Sequence, residues 1–355
     1  MKTNKFLIGF LLQAVVCSGG LHAQTDLHAN AYSIIQDAVT DIVCTSPTDA
    51  IQKEKRVIQI LDGKGKGDAS FVCMCDRFSS LKKFSGEVRD ASGNVIRKIK
   101  KSELKVTEYS DELVSDDYYY FFEYTPSRYP ITITYEWEIK NSDGLIGYPS
   151  FLPQKNYNQS VAQASYRILT PADNPCRYRT INMQAEVSQQ QTADGNWLTE
   201  VKVQSLPAIQ KEPYSPALSE LLPRIYFTPR NFSFEGTKGS MDNWQTYGAW
   251  QYQLLNGRDQ IPPALKEELQ RRTANCNTPY EKIAAVYQYL ASTTRYVSIQ
   301  LGIGGLQPIA ATDVHRTGFG DCKGLSNYMR AMLTELGIPS TYTVTVSYTH
   351  LRAHE

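Results

Sequence analysis

Neither sign of charge is in excess: 37 lysines and arginines face 36 aspartates and glutamates, for a formal net charge of +1. That balance offers no electrostatic footprint for nucleic acid. Cysteine is sparse. Of 7 cysteines, Cys17 lies in the first residues, and the remaining six, Cys44, Cys73, Cys75, Cys176, Cys276 and Cys322, are too few for a disulfide scaffold in a chain of this length. Cys73-Met74-Cys75 has no His or Cys pair elsewhere at matching spacing, so no metal centre is expected and the two sulfurs read as same-face residues of a strand. Beyond the opening segment no apolar run approaches the ~20 residues of a membrane span. Internal repeats and low-complexity tracts are also missing.

What is present is a soluble, globular composition, with 41% hydrophobic residues and a mean hydropathy of -0.39. At 355 residues and 40.0 kDa the chain exceeds the usual size of one core, and two domains are expected. Lys2 and Lys5 precede the apolar run Phe6 to Val16, and Leu21-His22-Ala23 offers a cleavage site before Gln24. Residues 1–23 therefore read as a signal peptide. A lipid anchor at Cys17 is disfavoured by Val16. Export to a periplasm, the cell surface or the exterior follows as the expected localisation.

An N-terminal segment, 24–55, is followed by a strand-rich region at 56–210. Ile131, Ile133, Tyr135, Trp137 and Ile139 alternate with Thr132, Thr134, Glu136 and Glu138, as a strand with one buried and one wet face requires. Asp90-Ala91-Ser92-Gly93-Asn94 is a hairpin turn cluster, and Trp197 to Val203 alternates again. An antiparallel β-sandwich-like domain is expected. Tyr118-Tyr119-Tyr120-Phe121-Phe122 fits strand core, with an aromatic binding platform as the other reading.

Residues 211–262 read as a proline-rich linker that packs, interrupted at Pro213, Pro216, Pro223, Pro229 and Pro262. From 263 the period becomes helical. Thr278-Pro279-Tyr280-Glu281 combines a cap, a first-turn proline and a capping-box glutamate, with Ile283, Val286, Tyr287 and Leu290 proposed for the buried face.

The chemistry-bearing stretch lies further on. Gly302-Ile303-Gly304-Gly305 lacks the Gly-Lys-Ser/Thr ending of a phosphate loop, so its glycines are expected to let backbone pass close to something else. Apolar residues at Leu325, Tyr328, Met329, Met332, Leu333 and Leu336, with Gly337 and Pro339 as stop signals, make Cys322 the opening residue of a helix. Free N–H groups and the positive end of the helix dipole favour thiolate there and could hold an oxyanion. The competing reading is an inert, buried cysteine. Asp321 reads as the helix N-cap.

Tyr296-Val297-Ser298-Ile299-Gln300, Gly304-Gly305-Leu306-Gln307-Pro308 and above all Gly320-Asp321-Cys322-Lys323-Gly324-Leu325-Ser326-Asn327 resemble the bacterial transglutaminase-like superfamily over roughly 255 to 346. The strand-rich region resembles, in layout, the domain of unknown function that often precedes this core in exported proteins of Bacteroidetes-type bacteria. The resemblance implies an α+β chain, with the β-sandwich-like domain followed by an incomplete papain-like core at 263–346. It also implies Cys322 as the nucleophile attacking an amide carbonyl, Gln307 as an oxyanion candidate, a peptide or protein substrate and no cofactor. The family's histidine and aspartate fall after the cysteine. Ser347 to Glu355 is similar to translated sequencing-adapter DNA, so 347–355, with His350 and His354, is set apart as a non-native tail, and a chain lacking that base and acid is expected to be nearly inactive. His315 reads as a surface or loop residue. Hydrolysis and transamidation both remain open, as do oligomeric state and disulfide pairing. The other function open at this point is a non-catalytic binding or assembly protein that works through the β-domain.

Overall fold

The alternating run Ile131–Asn141 forms one long strand, with Ile131, Ile133, Tyr135, Trp137 and Ile139 buried and Glu136 exposed. The computed structural model describes residues 26–108 and 114–344. Within them this strand belongs to an eight-stranded sheet ordered Val187–Gln191, Trp197–Leu206, Gln159–Thr170, Ser33–Cys44, Ala50–Ile60, Ile131–Asn141, Ser79–Arg89, Val95–Lys100. Neighbours pair antiparallel except Ser33–Cys44 with Gln159–Thr170, which run parallel. Residues 1–23, expected to be a signal peptide, and 347–355, set apart as a non-native tail, lie outside the described residues.

Ile35 and Ile58 pair across adjacent strands, so their side chains share a face. They nevertheless belong to two different apolar cores. Two small sheets therefore sit side by side on one face of the large one. The first runs Tyr148–Phe151, Arg224–Thr228, Arg177–Ile181, and Phe227 from its middle strand stacks on Tyr166 of the large sheet at 4.3 Å. The second runs Phe71–Cys75, Tyr118–Phe122, Lys105–Glu108, with Phe71 edge-on to Trp137 at 5.2 Å. Each large side chain buried this way contributes roughly 1.5–3 kcal/mol. The domain is sandwich-like, with one layer divided.

Several expectations change. The segment 24–55 is not a preface to the β-domain, because Ser33–Cys44 lies in the middle of its sheet. Its pattern hid this: Ser33, Ile34 and Ile35 are all buried, and a register shift between Ile35 and Asp37 breaks the alternation. The stretch 211–262 holds more regular structure than a linker, since Arg224–Thr228 is the middle strand of a covering sheet and Asn231–Phe234 pairs with Thr237–Ser240. Its prolines fall between these short elements. The run Tyr118–Phe122 is half-buried throughout, and Tyr118, Tyr120 and Phe122 pack on the core. Cys73 and Cys75 share the buried face of their strand. Asp90–Asn94 closes the hairpin, with Gly93 at a φ of +85° and the Asp90 N–H donating to the Asn94 carbonyl at 3.0 Å.

The C-terminal portion is helical: Pro263–Thr273, Pro279–Thr293, Ala311–Thr317 and Cys322–Glu335 surround a core of Leu265, Leu269, Val286, Tyr289, Val314, Tyr328 and Met332. Thr278 and Glu281 form the capping box of the second helix. Its buried face is turned from the expected one: Val286 and Tyr289 are buried, whereas Ile283 and Tyr287 are exposed. No helix of the described residues is long and apolar enough to cross a membrane.

Candidate active site

Three short pieces of chain place Cys322. The helix Ala311–Thr317 ends at Gly318, whose φ of +69° suits glycine. Phe319–Gly320 then pairs in parallel with Arg295–Tyr296. The Arg295 N–H donates to the Gly318 carbonyl at 2.8 Å and the Val297 N–H to the Gly320 carbonyl at 3.0 Å. The next residue, Asp321, is extended and caps the helix Cys322–Glu335, its Oδ1 accepting from the Gly324 N–H at 2.8 Å.

Asp321 is 2% exposed, and its other carboxylate oxygen pairs with the Lys323 ammonium. The pairing supplies the counter-charge a buried carboxylate needs. Cys322 itself is exposed. The contrast with the structural cysteines is physical: burial pushes the Cys44 thiol up to about 12 and raises that of Cys176 as well, which makes both poor nucleophiles. Because Asp321 caps Gly324, the N–H groups of Cys322 and Lys323 have no partner among the described residues. They remain available to a developing oxyanion beside the sulfur.

Asp321→Ala is expected to lower unfolding free energy by about 1–2 kcal/mol through loss of the cap, with the effect read by urea denaturation. Asp321→Asn, which keeps an acceptor, should lose less.

Gln307 does not stand free. Its amide Nε2 donates to the Leu254 carbonyl at 3.2 Å and its backbone N–H to the Ile303 carbonyl at 2.7 Å, so one amide hydrogen is already used in shaping the loop. His315, expected as a surface or loop residue, is half-buried on a helix, and its Nδ1 lies 3.0 Å from the Tyr328 hydroxyl. Periodicity had shown no helix as short as Ala311–Thr317.

Two features were not anticipated. Tyr342 lies near Cys322: burial first, then electrostatic interaction with Asp321 and with Cys322, pushes its phenol up to about 12. The chain from Thr341 to Val344 is irregular. The glycine-rich loop docks on the β-domain. Asp116 accepts from the Gly302 N–H at 3.1 Å and Glu235 from the Ile303 N–H at 3.2 Å, while Arg77 bridges the two carboxylates at 3.7 and 3.3 Å. Beside it, Ile299–Gln300 pairs with Val114–Ser115. Nothing in the sequence linked residues so far apart. Among the described residues no His, Cys, Asp and Glu group is arranged to hold a metal.

Residues 50–210 match the family described as Domain of Unknown Function with solved-structure structure (DUF3857), and residues 267–354 match the Transglutaminase-like superfamily. The chain is a DUF3857 domain followed by a transglutaminase-like core. The second match extends across the tail set apart on sequence grounds. A crystal structure described as a "putative protease" from Parabacteroides distasonis ATCC 8503 is similar at 14% identity and a TM-score of 0.62, over 87% of this chain and 59% of that one. At this identity the likeness shows the fold alone, and the present chain spans about three-fifths of that protein. An M1 zinc metallopeptidase from Deinococcus radiodurans aligns at 8% identity over 70% of this chain and 54% of that one, with a TM-score of 0.28, too low to carry any inference. No curated protein matches this chain.

Proposed function

We propose that this chain belongs to an exported cysteine enzyme acting on amide bonds of peptides or proteins, with Cys322 as nucleophile. The observation that carries the reading is an exposed cysteine at the first residue of a helix whose cap, Asp321, is buried and charge-paired. The Cys322 thiolate adds to the amide carbonyl carbon, and the carbonyl oxygen takes the negative charge, facing the N–H groups of Cys322 and Lys323. Collapse of the adduct breaks the C–N bond. The amine leaves with a proton, and the acyl group stays as a thioester that water or a second amine then takes. Gln307 could add a donor only through its second amide hydrogen. Of the described residues only His28 and His315 are histidines, and His315 is engaged with Tyr328. The general base and its orienting acid belong, on this reading, after the cysteine, and residues 26–344 alone should turn over slowly.

The test is alkylation by iodoacetamide across pH, mapped by mass spectrometry, with the partly exposed Cys276 as internal standard. Cys322 is expected to react faster than Cys276 at pH 7 and to keep reacting at lower pH. Equal or slower modification of Cys322 would remove the case for an activated nucleophile.

A further inference from the structure

The strand Ala50–Ile60 runs beneath the line where the two covering sheets stand apart. There a cleft of about 460 Å³ opens, floored by Gln52, Glu54, Arg56 and Ile58 and walled by Phe71 to Met74 on one side and Pro149 and Lys155 on the other. A second hollow of about 230 Å³ continues it past Glu54, Arg56 and Lys155. None of the cleft-lining residues is near Cys322 in sequence, and Cys322 lines neither hollow.

The floor is chemically out of place. Inward positions of a middle strand are normally apolar, yet here the Gln52 amide donates to Glu54 at 2.5 Å, Glu54 pairs with Arg56 at 3.5 Å, and the Arg56 guanidinium lies 5.6 Å from the Trp137 ring centre. Asp68, at one end, is engaged by Ser33, Asn156 and Gln159. Lys155 forms none of the ion pairs found among the described residues. Burial first, then Arg56, lowers its ammonium to about 8 and Glu54 opposes the shift, although the residue is exposed, so solvent screens much of that effect.

The two walls are both sheet edges, and they differ. Tyr148–Phe151 carries Pro149 and a register shift, devices that stop an edge from recruiting another strand. Phe71–Cys75 has neither proline, lysine nor bulge. It pairs only with Tyr118–Phe122, and its outer side makes no backbone hydrogen bond to a described residue. The aromatic rings of Tyr135 and Trp137 are buried, at 2% and 9% exposed, so they offer no open face on which a sugar ring could stack. A free strand edge, by contrast, matches the alternating donors and acceptors of a polypeptide.

We propose that this cleft binds an extended acidic peptide, added as a further strand on the Phe71–Cys75 edge with a carboxylate on Lys155. Side chains of an added strand alternate between faces. Those turned inward meet Lys155, beside the Glu54–Arg56 pair, and are acidic. Those turned outward lie beside the exposed Val72 and Met74 and are apolar.

The probe is a capped, fluorescein-labelled peptide of alternating valine and glutamate, titrated with the full chain and read by anisotropy. Saturable binding is expected, stronger than for the valine and lysine counterpart. Lys155→Glu should weaken the glutamate peptide by about tenfold or more and strengthen the lysine one. Two further glutamate peptides, N-methylated at odd or at even positions, test strand pairing on the unaltered protein: methylation in one register should abolish binding. No saturable binding, no preference for glutamate over lysine, or undiminished binding of both methylated peptides would each overturn the proposal. Its failure would leave the chemistry assigned to Cys322 untouched, since the two readings share no residue.

Discussion

Cys322→Ala is expected to abolish amide cleavage or acyl transfer by the complete protein, by on the order of 10⁴-fold or more in kcat, while leaving the unfolding midpoint unchanged. The two halves of that result separate chemistry from folding. Cys322 is exposed and the capping bond is made by the Asp321 side chain, and a substitution that spares caps and cores usually moves stability within about ±0.5 kcal/mol. Cys322→Ser should fall almost as far in rate, because a hydroxyl at this position gains far less than a thiol from the helix terminus. Retention of full activity in either variant, with an assay on peptide amides followed by mass spectrometry, would move the nucleophile elsewhere.

Gly302→Val is expected to cost about 2–4 kcal/mol, combining a left-handed backbone penalty of about 1–2 kcal/mol with overpacking. At Gly302 φ is +51°, and an added Cβ would stand 2.4 Å from Glu235 Oε1 and 2.6 Å from Arg77 NH1. Those atoms are the clamp on the glycine-rich loop, so the substitution should also expose the junction between the two regions to limited proteolysis. Gly93→Val isolates the first contribution, because Gly93 has a φ of +85° and open space around it. Gly304→Ala, with no neighbour within 4 Å, should be close to neutral. Loss of stability equal at Gly302 and Gly93 would show that the clamp contributes nothing, as urea denaturation would reveal.

How much of this was legible in the residues depends on distance along the chain. Elements specified by local pattern were readable: the Ile131–Asn141 strand, the Asp90–Asn94 turn, the Thr278 capping box and the helix opened by Cys322 with Asp321 as its cap. Where tertiary packing decides, the pattern misled. Ile283 and Tyr287 satisfy helical periodicity as well as Val286 does, but the neighbouring helices cover the side of Val286 and Tyr289. The strand Ser33–Cys44 was hidden by its own bulge, and the middle strand Arg224–Thr228 by flanking prolines. For the candidate site, the proposed nucleophile and the helix cap came from a contiguous motif. Tyr342 and the Asp116, Glu235 and Arg77 clamp came only from the fold, since contacts between distant segments leave no period to read. Gln307 shows the same limit from the other side: residue type and position suggested a donor to substrate, and the structure finds its amide bonded to Leu254.

The parallel pairing of Ser33 with Gln159, 126 positions later, sets a condition on biogenesis. A nascent chain emerging from the ribosome can zip Ser33–Cys44 onto Ala50–Ile60 early, but the opposite flank stays bare until the second ladder partner is synthesised. High contact order of this kind delays folding, and it keeps the polypeptide threadable for longer. Were the chain exported as proposed, that lag would allow transit before the sheet locks.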